Sequence, residues 1–254
     1  MTDQVRPPAR AGEVIPTVSV EQMREVDRLM IDELHIDLLQ MMENGGRALA
    51  EQARRLVGGD VRGAQVVVLA GPGGNGGGGL TAGRRLLIWG ADVTVILGAA
   101  RRVFQGVPLH QLSIFNSMGA LVRDAEPADA VEAALHSADL VLDALIGYSL
   151  RGAPREPIAS LIRAANASGT RVLALDLPSG LDGDSGAAYD PTIRAVSTLT
   201  LALPKVGLTR PAAREWVGNL YVADISVPKV VYDRLGLDVG ALYARSDIVP
   251  YQFE

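Results

Sequence analysis

Five polar side chains in this chain follow predicted strands, where they could bind an ion and transfer protons. Asn75 is the only polar side chain in a glycine-rich stretch, and Asp143 closes an apolar run. Asp176 and Ser179 follow another apolar run, and Lys205 follows a third. Amide, carboxylate and hydroxyl oxygens favour a hard monovalent or alkaline-earth cation over a transition metal. The alternative for Asp143 is a turn or helix-cap role; Lys205 would pair with a phosphate or act as an acid.

The glycine-rich stretch comes directly after the first apolar run, in the segment VVVLAGPGGNGGGGL. Val66 to Leu69 predicts a strand buried on both faces, and seven glycines fall between Gly71 and Gly79. We expect these glycines to form a loop before a helix that starts near Leu80, with a phosphate at the helix's positive end. The stretch matches neither a Walker loop nor a plain dinucleotide fingerprint. The alternative is that the glycines only allow a tight turn to pack against the sheet.

Two further loops at strand ends carry charged residues. Arg151 and Arg155 come after Asp143, and each would either contact a phosphate or lie solvated at the surface. In the later loop DLPSGLDGDSG, Asp182 and Asp184 are expected to form turns.

The composition excludes several classes of protein. The net charge is −5, so no basic field would recruit nucleic acid or an anionic membrane. The absence of cysteine excludes thiolate chemistry and disulfides, and the three histidines are not spaced as metal ligands. No apolar run is long enough to span a membrane, and no signal-peptide core precedes the first helix. We therefore expect a soluble, cytoplasmic protein that binds neither nucleic acid nor membrane.

Strands and helices alternate at the spacing typical of a doubly wound, mostly parallel sheet. Residues 1–16 predict a mobile arm, and residues 17–254 predict a single domain. A capping box at Ser19 predicts a helix that ends near His35 and carries Asp27 outward. The other expected helices are 37–56, 80–90, 105–118, 128–136, 156–167 and 227–235, and the other strands are 92–98, 121–122, 139–142, 172–175, 198–203 and 218–224.

The second of these helices, residues 37–56, is interrupted by Glu43-Asn44-Gly45-Gly46. Each glycine in a helix costs roughly 1 kcal/mol relative to alanine. This cost favours a packing role for the four residues over a catalytic one. The surface that they pack against would be either a subunit interface or the edge of a ligand site.

Six segments of the chain, in this order, resemble the YjeF N-terminal domain family, whose characterised members are NAD(P)H-hydrate epimerases. They are SVEQMREVDRLMIDEL, MMENGGRALAEQARRL, VVVLAGPGGNGGGGLTAGRRL, LVLDALIGYSLRG, VLALDLPSGLDGDSG and LTLALPKVGL. The resemblance covers about Val18 to Pro228. It implies a Rossmann-like three-layer α/β/α sandwich that forms a homodimer and interconverts the R and S forms of NADHX and NADPHX. It also implies one potassium ion per subunit and a separate dehydratase in the same pathway.

By matching position, the resemblance assigns the potassium ligands to Asn75, Asp143 and Ser179. It assigns the substrate contacts to Gly74, Asn75, Gly76, Gly77, Gly78, Gly147, Tyr148, Ser149, Leu150, Arg151, Gly152, Ala153 and Asp176. The mechanism that follows uses Asp176 as the acid/base at C6 of the hydrated ring, with Lys205 paired with Asp176 or with phosphate.

The chain departs from the family pattern at two places. The family usually reads Asn-Asn-Gly-Gly-Asp-Gly where this chain has Gly74 to Gly79, and Gly-Thr-Gly where it has Gly147-Tyr148-Ser149. Two alternatives to the epimerase therefore stay open. One is an enzyme on the same scaffold with a different small substrate, and the other is a non-catalytic module that binds a nucleotide or a protein.

Overall fold

The computed structural model describes residues 15–253 of the chain. Its strands are β1 (Gln65–Ala70), β2 (Asp92–Leu97), β3 (Leu121–Asp124), β4 (Leu140–Ala144), β5 (Val172–Leu175), β6 (Ser197–Leu201), β7 (Asn219–Ala223) and β8 (Ile248–Pro250). Its α-helices are α1 (Val20–Arg28), α2 (Leu38–Leu56), α3 (Gly74–Ile88), α4 (Gly106–Ser117), α5 (Ala128–Ser137), α6 (Ile158–Ala167), α7 (Arg214–Val217) and α8 (Lys229–Arg234).

The eight strands form one sheet in the order β3-β2-β1-β4-β5-β6-β7-β8. Every neighbouring pair from β3 to β7 is parallel, and β8 is antiparallel to β7. Strand β1 pairs with β2 on one side and β4 on the other, so the strand order reverses at its carboxyl end. Ligands of such sheets bind at this reversal. The prediction of a mostly parallel, doubly wound sheet is confirmed.

Helices cover both faces of the sheet. Alternate residues of β1 point to opposite faces, so Val66 and Val68 belong to one apolar cluster while Val67 and Leu69 belong to another. The first cluster includes side chains of α2, α3 and α4, and the second includes side chains of α5 and α6. Since both faces are covered, the strands read as continuous apolar runs, and the fold is a three-layer α/β/α sandwich.

Helix α3 begins at Gly74, so the prediction of a glycine loop ending near Leu80 was wrong. Gly73 is the N-cap, and the glycines from Gly76 to Gly79 are buried in the first turns of the helix. A methyl group on Gly76 would lie 2.7 Å from the carbonyl carbon of Gly71, and one on Gly78 would lie 2.8 Å from a methyl group of Leu175. Close packing of the helix start against the chain after β1 therefore outweighs the poor helix propensity of glycine.

Helix α2 is continuous through Glu43-Asn44-Gly45-Gly46, so the predicted interruption was wrong and the predicted close packing is confirmed. A methyl group on Gly46 would lie 2.8 Å from the carbonyl oxygen of Gly78 in α3. Glu43 forms ion pairs with Arg84 and Arg85 of α3. The tight contact is therefore with a neighbouring helix of the same chain, where we had expected a subunit interface or a ligand.

The other predicted elements are confirmed with small shifts at their ends. Ser19 caps α1 in a capping box with Gln22, and a π-helical turn, Leu29–Glu33, extends this helix toward His35. The sequence did not predict α7 or β8. The predicted mobile arm lies outside the described residues except for Ile15 and Pro16, and Ile15 packs against an apolar cluster that includes α1. Within residues 15–253, the helices are too short or too polar to cross a membrane.

Candidate active site

A buried ion pair between Asp176 and Lys205 lies at the carboxyl edge of the sheet. Asp176 directly follows β5, and Lys205 follows β6 and is completely buried. The Lys205 ammonium group donates to Oδ1 of Asp176 and, at 3.0 Å, to the carbonyl oxygen of Leu201. The hydroxyl group of Thr200 donates to the same Asp176 oxygen at 3.2 Å. Of the two partners predicted for Lys205, the Asp176 carboxylate is the one that it contacts in this structure.

The backbone holds both partners of this ion pair in place. Asp176 has a φ of 68°, in the left-handed region that few residues other than glycine adopt. Its N–H group donates to the carbonyl oxygen of Leu199 at 2.8 Å, so the unusual conformation is fixed by the neighbouring strand. Val18 forms a parallel bridge with Lys205 through hydrogen bonds to Pro204 and Val206. Residues in sparsely populated conformations cluster at functional sites, where the surrounding structure keeps them there.

Asp143 and Ser179 form a second buried polar pair, between the ends of β4 and β5. The Asp143 carboxylate accepts hydrogen bonds from the Ser179 hydroxyl at 2.6 Å, the Ser179 N–H at 2.8 Å and the Leu145 N–H at 3.2 Å. Burial raises the pKa of Asp143 to about 6, against the opposing effect of the Ser179 bonds. None of the donors to the Asp143 carboxylate in the described part of the chain carries a positive charge.

Asn75 contacts the same two strand ends from the start of α3. Its Nδ2 donates to the carbonyl oxygen of Leu175 at 2.8 Å. A methyl group on Gly147 would lie 2.7 Å from Oδ1 of Asn75, so this oxygen faces the loop after β4. Among residues 15–253, no hydrogen-bond donor is recorded for that oxygen.

These oxygens fit a hard cation. Among residues 15–253, the buried Asp143 carboxylate has no positively charged partner and the Asn75 amide oxygen has no donor, and the Ser179 hydroxyl keeps a lone pair beyond the bond it accepts from Ile146. The set is made of oxygens alone, which suits an alkali-metal ion better than a transition metal. No group of three or more His, Cys, Asp or Glu side chains gathers in the described region.

The predicted substrate-binding residues other than Asp176 lie at the start of α3 and in the loop after β4. Gly74 to Gly78 form the first turns of α3, whose first-turn N–H groups and positive end suit a phosphate. Residues 147–153 form the loop after β4, in which Ser149, Arg151 and Ala153 are exposed. The structure places Arg155 at the surface as well. Asp182 accepts hydrogen bonds from Asp184 and Ser185 in a turn, as predicted.

Asp27 belongs to this site, although we had expected it to point outward. It is half-buried, and its carboxylate accepts a hydrogen bond from the hydroxyl group of Tyr148. Burial is the main reason that the pKa of Asp27 is raised above its ordinary value. The available signal was its position four residues after buried Met23, on the apolar face of α1. Thr200 was also missed, because a threonine inside a β-strand looks like an ordinary strand residue.

A model of the family described as "YjeF-related protein N-terminus" matches residues 38–207. The chain belongs to this family. Among curated YjeF-related proteins, an NAD(P)H-hydrate epimerase of Dehalogenimonas lykanthroporepellens is 46% identical over 89% of this chain and 88% of its own length. An NAD(P)H-hydrate epimerase of Rhodopirellula baltica is 35% identical over 84% of this chain and 86% of its own length.

Two further comparisons bear on the length and the fold of the chain. The bifunctional NAD(P)H-hydrate repair enzyme of Moorella thermoacetica is 36% identical over 84% of this chain, which spans only 41% of that longer protein. The crystal structure of the yeast protein YNL200c matches with a TM-score of 0.80 at 23% identity, covering 93% of this chain and 100% of that one. At this identity the yeast structure supports the fold alone.

Proposed function

We propose that this protein is an NAD(P)H-hydrate epimerase, an isomerase that interconverts the R and S forms of hydrated NADH and NADPH. The observation that carries the proposal is the 46% identity to an epimerase that this chain matches over 88% of that enzyme's length. The geometry supports it, because a buried acid–base pair lies at the carboxyl edge of the sheet beside a helix start suited to phosphate.

Asp176 is the proposed acid/base of the reaction. Inverting C6 of the hydrated ring requires a bond at that carbon to break and re-form. C6 carries both the hydroxyl group and the ring nitrogen, so removal of the hydroxyl proton lets the C6–N bond break to give an aldehyde while the nitrogen takes up the proton, and the reverse steps close the ring on the other face. Asp176 is the carboxylate that we propose carries this proton. Lys205 holds Oδ1 of Asp176, and Thr200 donates to the same oxygen. Within residues 15–253, the hydrogen bonds to the Asp176 carboxylate all reach Oδ1, so we assign the proton transfer to Oδ2.

Asn75, Asp143 and Ser179 are the proposed ligands of one potassium ion per subunit. A bound potassium ion would supply positive charge to the buried Asp143 carboxylate and attract oxygen atoms of the substrate. The protein itself fixes the positions of these ligands. The N–H group and the hydroxyl group of Ser179 both donate to the Asp143 carboxylate, and the side-chain amide nitrogen of Asn75 donates to the carbonyl oxygen of Leu175.

The dinucleotide would lie across the start of α3 and the loop 147–153. The N–H groups of the first helical turn, from Gly74 to Gly76, are free to bind its phosphates. Gly74 and Gly78 stand where the family usually carries Asn and Asp. A methyl group on Gly74 would make only an ordinary contact, 3.7 Å from the terminal carbon of Met42, whereas Gly78 is packed against Leu175. The protein is further proposed to be a homodimer in the cytoplasm that works with a separate dehydratase.

The proposed function predicts a specific result in a coupled assay. Purified protein would be mixed with R and S NADHX and a dehydratase that consumes only the S form. We expect the R form to disappear faster than it does spontaneously, in proportion to the amount of protein. Heat-denatured protein provides the blank. An unchanged rate for both NADHX and NADPHX would overturn the epimerase, and the search would move to other small substrates of the same pocket.

The ion proposal predicts that potassium stabilises the protein without any substrate. We expect the midpoint of thermal unfolding at pH 7.5 to rise by a few °C when tetramethylammonium chloride is replaced by potassium chloride, because binding to the folded state alone stabilises it. Asp143→Asn keeps the shape of the side chain and should abolish the difference. Asp129→Asn, on the exposed face of α5, should keep it. Equal melting temperatures of the wild type in the two salts would contradict this ion site.

A further inference from the structure

We infer that Tyr148, held by Asp27, is a positioning residue that fastens the loop 147–153 over the Asp176–Lys205 pair and thereby sets substrate affinity. The inference rests on the proposed function for its substrate and on the geometry for the contact itself. We call the Tyr148–Asp27 hydrogen bond the latch. It joins the loop after β4 to α1, two elements separated by more than a hundred residues.

The latch attaches this loop to another part of the chain through a hydrogen bond. Among the described residues, Tyr148–Asp27 is the single hydrogen bond between residues 148–153 and a segment outside this loop. The loop also has a bond within itself, from the Leu150 N–H to the Gly147 carbonyl oxygen at 3.3 Å. Since Ser149, Arg151 and Ala153 are exposed, few other contacts oppose movement of the loop.

The ring of Tyr148 lies close to Lys205 while its hydroxyl group is bonded to Asp27. Its centroid lies 6.0 Å from the Lys205 ammonium nitrogen, within range of a cation–π contact. The ring packs against two apolar clusters, one that includes α1 and one that includes Leu177 and Leu181 after β5. Tyr148 therefore bridges the N-terminal helix and the loop that carries Asp176, with the reactive pair beneath it.

The position of Asp27 in α1 favours this contact. It occupies the buried face of the helix beside Met23 and Met30, where an apolar residue would otherwise lie. A half-buried carboxylate is costly unless it is hydrogen-bonded, and Tyr148 provides the recorded side-chain donor. The carboxylate accepts a charge-assisted bond, which is stronger than a neutral one. An ordered loop loses less entropy when the dinucleotide binds, so the latch acts on affinity and not on the chemical step.

Tyr148→Phe tests this inference, because it removes one oxygen atom and keeps the packing of the ring. We expect KM for NADHX to rise about tenfold with kcat within about twofold of wild type, and hydrogen exchange of the amides in residues 148–153 to accelerate in the absence of substrate. Asp27→Asn keeps an oxygen that can accept from Tyr148, and we expect it to retain most of the affinity. Tyr221→Phe, which removes a tyrosine hydroxyl on β7, is the matched control and should match the wild type in both measurements.

Three results would overturn the latch. One is unchanged KM and unchanged loop exchange in Tyr148→Phe. Another is a loss confined to kcat, which would place the hydroxyl group in the chemical step. The third is faster exchange of the loop with no change in KM, which would make the bond structural only. If the wild type does not turn over NADHX, the proposed function fails by itself, and the exchange experiment still decides whether Tyr148 fastens the loop.

Discussion

Asp176→Asn will lower kcat for NADHX epimerisation by at least about a hundredfold and change substrate affinity little. A positioned acid or base typically contributes 10² to 10⁴ in rate, and an amide cannot replace it. The carboxamide keeps the size of the side chain and can still accept from Thr200 and Lys205, so the bound geometry should persist. The coupled assay gives kcat and KM separately.

This substitution also leaves Lys205 as a buried charge without a charged partner. Breaking a buried ion pair on one side costs on the order of 3 kcal/mol, so the variant should unfold at lower denaturant concentration while remaining folded in its absence. The double variant Asp176→Asn/Lys205→Met removes both charges and should recover part of that stability but none of the activity. Asp129→Asn, on the surface of α5, is the control for both measurements. Full activity of folded Asp176→Asn would contradict the assigned role.

Gly76→Ala will destabilise the fold by at least about 3 kcal/mol, which lowers the melting temperature by roughly 6 to 12 °C in a chain of this size. The added methyl group would overlap the carbonyl oxygen of Gly71 and lie 2.7 and 2.9 Å from that residue's carbonyl carbon and nitrogen. All three are backbone atoms at the end of the central strand β1, so they cannot move aside without disturbing its pairing with β4. Thermal and denaturant unfolding measure the loss.

Gly74→Ala is the matched control, because it makes the same change two residues earlier. The nearest atom to its added methyl group is the terminal carbon of Met42, at 3.7 Å, which is an ordinary contact. Alanine favours the helix by up to about 1 kcal/mol over glycine, so this variant should be as stable as the wild type or more stable. Equal stability of the two variants would mean that the start of α3 does not lie against Gly71.

The sequence by itself determined the framework of this protein. Apolar runs such as Val66 to Leu69 can be buried only between two helical layers, and their alternation with amphipathic helices permits little other than a parallel sheet. The capping box at Ser19 fixed the start of α1 for a local reason, since its bonds join residues three apart. Parallel topology then placed Asp143, Asp176 and Lys205 at one edge, because the carboxyl ends of parallel strands meet there.

Other features were decided only by tertiary contacts. Glycine propensity predicted a loop at residues 71–79, and packing against Gly71 and α2 made most of it a helix. The short strand β8 carries no recognisable pattern, and it forms because the edge of β7 offers it hydrogen bonds. The sequence predicted Asp27 to be a surface residue, because its hydrogen-bond partner Tyr148 lies 121 positions away along the chain. A local sequence pattern depends only on residues that are close along the chain. The hydrogen-bond partner of a buried polar group, such as Asp176 for Lys205, comes from another segment and is adjacent to it only in the folded chain.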